Sequence, residues 1–138
     1  MNTYKYPLAT TTWDEKEYEA LQRVIESDRF TMGKEVKNFE TLFSKYIGSK
    51  YSLMVNSGSS ANLLMIAALF YKKKNPLLPG DEIIVPAVSW STTYYPLNQY
   101  GLVMKFVDID LETLNYDTNK LAEAISDKTK AIMLVNLL

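Results

Sequence analysis

The sequence predicts an α/β protein built on a mainly parallel sheet with flanking helices. Three observations carry that reading. Short, nearly continuous apolar runs stand at Tyr51–Val55, Glu82–Val85, Leu102–Val107 and Lys130–Val135, and strands without polar alternation are those covered on both faces, as in a parallel sheet. Helical stretches separate these runs, which is the alternation of a βαβ layer. Two amphipathic helical patterns precede them all. Residues 1–50 are therefore expected to form a helical N-terminal arm, and residues 51–138 the first part of the α/β layer, with its sheet incomplete.

Taken in order, Thr12-Trp13-Asp14-Glu15 reads as a capping box, Thr followed three residues later by Glu. Tyr18, Leu21, Val24 and Ile25 then share one helical face, ending near Ser27, and Asp28–Gly33 is a loop. Val36, Phe39, Leu42, Phe43, Tyr46 and Ile47 form the stripe of a second helix, which Gly48 stops. Tyr51–Val55 reads as a buried strand and Ser59–Tyr71 as a helix that is apolar nearly all round. Pro76, Pro79 and Gly80 turn the chain ahead of the Glu82–Val85 strand, which Pro86 follows. Trp90–Tyr100 reads as partly helical, against the tendency of Pro96 and of the β-branched Thr92-Thr93. A third strand, Leu102–Val107, leads into Asp108-Ile109-Asp110. A short helix over Asp117–Ser126 and the Lys130–Val135 strand follow. That last strand has no helix after it, whereas a parallel sheet needs both faces covered. Either it is an edge or the chain is a piece of a longer one, and the apolar Leu137-Leu138 ending favours the piece.

Composition narrows the function classes. An apolar fraction of 47% and a charged fraction of 22% are those of an ordinary globular domain. A formal net charge of -1 gives no pull toward nucleic acid or an acidic membrane. Lys72-Lys73-Lys74 reads as a solvated helix end, where cations complement the macrodipole. With no Cys there is no disulfide, thiolate metal site or iron–sulfur cluster within the chain. Leu63–Tyr71 is far too short to cross a bilayer, and Met1-Asn2-Thr3-Tyr4-Lys5 lacks the apolar core of a signal peptide, so a cytoplasmic protein is expected. There is also no His. Acid–base chemistry at neutral pH would need a carboxylate, Lys or Tyr with a strongly shifted pKa, or a group outside this chain.

One segment points to a ligand. Asn56-Ser57-Gly58-Ser59-Ser60-Ala61-Asn62-Leu63-Leu64 joins an apolar run to a helical one, and such a small-residue turn aims free backbone N–H groups at a phosphate. Its Ser hydroxyls add further donors. An ordinary turn with Ser as the helix cap has the same spacing.

The segments together resemble the DegT-type family of pyridoxal-phosphate enzymes, which aminate or dehydrate keto sugars carried on nucleotides. The matching stretches are Phe30-Thr31-Met32-Gly33, Phe39-Glu40 with Phe43 through Tyr46 and Gly48, Ser57-Gly58-Ser59-Ser60-Ala61-Asn62, Pro79-Gly80-Asp81-Glu82-Ile83-Ile84-Val85-Pro86, Phe106-Val107-Asp108-Ile109-Asp110 with Thr113 and Asn115, and Lys128-Thr129-Lys130-Ala131-Ile132. Narrower still are Ala87 through Leu97 with Gln99-Tyr100-Gly101, Tyr6-Pro7-Leu8-Ala9 with Thr12-Trp13-Asp14, and Val135-Asn136-Leu137-Leu138. These look most like family members that remove the 3-hydroxyl of a GDP-linked 4-keto-6-deoxy sugar in deoxysugar and O-antigen biosynthesis.

The resemblance implies the N-terminal portion of a fold-type I large domain, with pyridoxal 5'-phosphate or pyridoxamine 5'-phosphate at the carboxyl ends of the strands. It places the cofactor's phosphate at Gly58, Ser59 and Ser60 and its ring against Trp90; from the residues alone, Trp90 reads rather as a core Trp after a strand. It brings Asp28, Arg29, Phe30 and Thr31 to the nucleotide-sugar, although Arg29 also reads as solvated, and Phe30 and Thr31 as a staple and cap for the second helix. It implies a homodimer. Asp108 and Asp110 read as structural, and no metal is expected.

The family's deciding groups do not match anything here. Its aminotransferases carry a Lys that bonds to the cofactor, its 3-dehydratases a His in that place, and both an Asp that pairs with the ring nitrogen. The expectation is a part of a nucleotide-sugar 3-dehydratase that is inactive alone. A sugar aminotransferase on the same scaffold is the alternative within the class, and a non-catalytic cofactor-binding or interaction fragment the alternative outside it.

Overall fold

The computed structural model describes residues 10–136, so Tyr6-Pro7-Leu8-Ala9 and Leu137-Leu138 lie outside the described residues. The chain divides into two compact units, Met1–Met54 and Val55–Leu138.

The first unit holds α1 (Glu15–Glu26) and α2 (Lys34–Ile47). The capping box at the start of α1 sits two residues later than the Thr12–Glu15 expectation. Asp14 accepts from the Lys16 N–H at 2.8 Å, and the Glu17 carboxylate accepts from the Asp14 N–H at 2.8 Å. Two overlapping boxes are written in the sequence, and the carboxylate of Asp14 outcompetes the Thr12 hydroxyl as first-turn acceptor. α2 ends as expected on Gly48, whose φ of 72° lies in the left-handed region that glycine enters without a Cβ penalty.

Tyr51–Val55 is not a strand. Tyr51 is 77% and Leu53 72% exposed, and among the described residues no backbone pairs with the segment. The Met54 N–H goes instead to the Glu40 carboxylate at 2.9 Å. An apolar run states a strand's preference, but a strand exists only where a second backbone supplies the ladder.

The second unit comprises α3 (Gly58–Phe70), β1 (Glu82–Pro86), α4 (Ser91–Gln99), β2 (Val103–Val107), α5 (Thr118–Ala124) and β3 (Thr129–Ile132). Thus three of the four expected strands form, and they make one sheet in the order β2-β1-β3 with both pairings parallel. Ile83, Ile84 and Val85 of the central strand are buried. Ile83 and Val85 pack with Ile66 of α3 and Leu97 of α4 on one face, whereas Ile84 packs with Val107 and Ala124 of α5 on the other. Covering on both faces is why the strand reads as a continuous apolar run. From β1 the chain crosses through α4 to β2 on one side, then through α5 back past β1 to β3.

Candidate functional site: the first turn of α3 and the loop after β1

Ser57 caps α3, its hydroxyl oxygen accepting from the Ser60 N–H at 3.2 Å. Among the described residues the Gly58 and Ser59 N–H groups have no acceptor, so they are the free donors of a helix start. The first turn carries no acidic residue. An added Cβ on Gly58 would meet nothing within 4 Å. Free N–H donors, hydroxyls, open space above the backbone and no opposing carboxylate are what a phosphate group requires. The donor set therefore fits the phosphate of pyridoxal phosphate.

Trp90 stands four residues past the end of β1, on the carboxyl side of the sheet, at the N-cap position of α4. Trp90 is 76% exposed, so it takes no part in the core formed among the described residues. Three bonds hold the segment around it: the Thr93 N–H donates to the Trp90 carbonyl at 2.9 Å, the Ser89 and Thr93 hydroxyls meet at 2.8 Å, and the Tyr94 hydroxyl donates to the Pro86 carbonyl at 2.8 Å. Helices α3 and α4 are joined near their starts by the Asn62 side-chain amide, which donates to the Thr92 carbonyl at 3.2 Å. Between them lies a cleft of about 230 Å³ lined by Ser59, Ser60, Leu63, Thr92, Tyr95 and Gln99 among others. The predicted residues Ser59 and Ser60 thus share a cleft, Gly58 precedes them, and Trp90 opens the adjacent helix. Sequence reasoning did not single out Tyr95, Gln99 or Asn62 as site residues, because only the packing of α3 on α4 brings them together.

Asp28, Arg29, Phe30 and Thr31 belong to the first unit and are all exposed. Their loop is conformationally unusual: Asp28 has φ 51° and Met32 φ 45°, a region that Asp tolerates but Met rarely enters. Arg29 folds against Gly33, where a Cβ would stand 3.5 Å from its Cγ. The loop borders a cleft of about 440 Å³ whose charged wall residues are Arg23, Arg29, Lys34 and Glu35, three cations against one carboxylate.

The titratable groups on the carboxyl side are structural. Asp108 pairs with Lys120 at 2.8 Å and accepts from the Ile109 N–H. Asp110 accepts from the Glu112 and Thr113 N–H groups, closing a turn. The Tyr116 hydroxyl donates to the Met133 carbonyl at 2.8 Å. The bond to Lys120 lowers the Asp108 pKa and in turn raises that of Lys120; bonds to Thr113 lower Asp110; burial raises Tyr94 and Tyr116. All five shifts move away from neutrality, the opposite of what a general acid or base at pH 7 needs.

Residues 11–138 match the DegT/DnrJ/EryC1/StrS aminotransferase family, and the chain belongs to it. Within that family it is 67% identical over 133 residues to GDP-4-keto-6-deoxy-D-mannose 3-dehydratase of Escherichia coli O55:H7, a match spanning 96% of this chain and 34% of the relative. The structure of the E. coli dehydratase with bound hydrated pyridoxal phosphate superposes with a TM-score of 0.93 at 66% identity, covering 97% of this chain and 34% of that one. A variant of a GDP-4-keto-6-deoxymannose 3-dehydratase solved with bound GDP-perosamine has the same TM-score of 0.93 and 66% identity, over 97% and 35% of the two chains. The chain therefore spans about a third of the length of the relatives it matches.

Proposed function

We propose that this chain is the part of a nucleotide-sugar enzyme that holds the phosphate and ring of pyridoxal phosphate, and that the whole protein removes the 3-hydroxyl of GDP-4-keto-6-deoxy-D-mannose. The observation that carries this is the 67% identity to the E. coli 3-dehydratase across 96% of the chain. In this reading the Gly58 and Ser59 N–H groups and the Ser59 and Ser60 hydroxyls bind the phosphate. Trp90 offers its exposed indole as a flat apolar wall that limits tilt of the ring. When bound, the cofactor supplies an electron sink for breaking bonds beside its nitrogen. The Asp28–Thr31 loop contacts the nucleotide-sugar, with Arg29 offering its guanidinium to the diphosphate. The homodimer and the cytoplasmic location are part of the same proposal; no helix among the described residues is long and apolar enough to cross a membrane.

Proton transfer is assigned outside this chain. It contains no His, and among the described residues the shifted groups all move away from neutrality. Amination is the second reading, because the matching family is named for aminotransferases. The test is to give the full-length protein GDP-4-keto-6-deoxymannose and glutamate and weigh the product. Loss of the 3-hydroxyl oxygen supports dehydration; a sugar that keeps that oxygen and gains an amine refutes it in favour of amination.

A further inference from the structure

Pro96 is the sixth residue of α4 and has no N–H. The α-helical bond of residue 96 would go to the carbonyl of Thr92, so that carbonyl lacks its partner four residues on. Asn62, the fifth residue of α3, donates its side-chain amide to this same oxygen at 3.2 Å. The acceptor is a carbonyl, which fixes Asn62 with its NH2 rather than its oxygen toward α4. Both residues are half-buried, so losing the donor leaves the Thr92 carbonyl only partly solvated. Among the described residues it is the only side-chain hydrogen bond between the two helices, since Ser89–Thr93 and Tyr94–Pro86 tie α4 only to its own loop and to β1.

The two ends of this bond stand within a turn of the groups assigned to the cofactor. Gly58, Ser59 and Ser60 are the first three residues of α3, and Trp90 is the N-cap of α4. We infer that Asn62 is a positioning residue: it occupies the carbonyl that Pro96 leaves free, and so holds Trp90 in register with the Gly58–Ser60 turn. The inference rests on the cofactor reading of that turn. Pro96 and Asn62 form one device. The proline opens a helical acceptor, and the neighbouring helix fills it.

The test uses the full-length protein with pyridoxal phosphate, reading the dissociation constant and the visible circular dichroism of bound cofactor, a signal of fixed ring orientation. Asn62→Ala and the isosteric Asn62→Asp should each weaken binding about tenfold and remove most of the dichroism per bound cofactor. Pro96→Ala restores an N–H to Thr92, so adding Asn62→Ala in that background should change affinity by less than about twofold. Asn62→Asp keeps the test open if Asn62→Ala does not fold. Unchanged affinity and dichroism in Asn62→Asp overturn the inference while leaving the cofactor reading intact, as does an Asn62→Ala effect equally large in the Pro96→Ala background. A wild-type protein that takes up no pyridoxal phosphate overturns both.

Discussion

The two units of the chain share helical periodicity and part company in burial. α1 and α2 present clear apolar stripes, yet neither helix buries a residue. In the Val55–Leu138 unit, Ile84, Val85 and Leu97 are fully out of water between the central strand and its helices. An amphipathic pattern thus names the face a helix can bury, not whether that face is buried. What differs is the sheet: β1 gives α3, α4 and α5 surfaces to pack on, so the second unit has a core while the first relies on caps and local turns.

The contrast is open to direct test. The largest effect belongs to the core. Leu97→Ala should cost about 2–5 kcal/mol of stability, whereas Leu42→Ala, at a position 66% exposed, should stay within about 0.5 kcal/mol. Denaturant midpoints of the two variants check both, and equal losses would erase the distinction. Next comes the cap of α1: Asp14→Ala removes the bonded capping box and should cost about 1 kcal/mol, read as lost helical circular dichroism below the main transition. The smallest effect is electrostatic. Bonding to Lys120 lowers the Asp108 pKa below its ordinary value, so the folded state prefers the ionised form. That contribution is present at neutral pH and fades as the pH falls below about 4. Asp108→Asn should lower stability near pH 7 and flatten this acid limb of the stability-versus-pH curve, leaving the lowest pH values unchanged. Because Asp108 is exposed, the change should be slight.

Helices were legible in the sequence because their signals are local: the stripe Val36–Ile47 and its Gly48 stop need no distant partner. The parallel layer was legible for a related reason, since Ile83-Ile84-Val85 can be apolar at every position only if both faces are covered. Tyr51–Val55 was misread because strand formation depends on a pairing that its own residues do not encode. The α1 cap slipped by two residues because Thr12/Glu15 and Asp14/Glu17 both satisfy the same spacing. At the site, the Gly58–Ser60 turn was visible as a small-residue helix start, and Trp90, which spacing left open between core and site, is exposed among the described residues. Pro96 was visible as a helix breaker. Its consequence, a free Thr92 carbonyl met by Asn62, spans thirty positions and emerges only from packing.

The central claim is that the α3 first turn and Trp90 together hold pyridoxal phosphate. A titration of the full-length protein with pyridoxal phosphate, followed by visible absorbance, tests it most directly when wild type and Trp90→Ala are compared with inorganic phosphate as competitor. The account predicts a saturable complex in the wild type that phosphate displaces, and binding about tenfold weaker or worse in Trp90→Ala. Equal binding by both proteins, or a wild-type complex indifferent to phosphate, would contradict it.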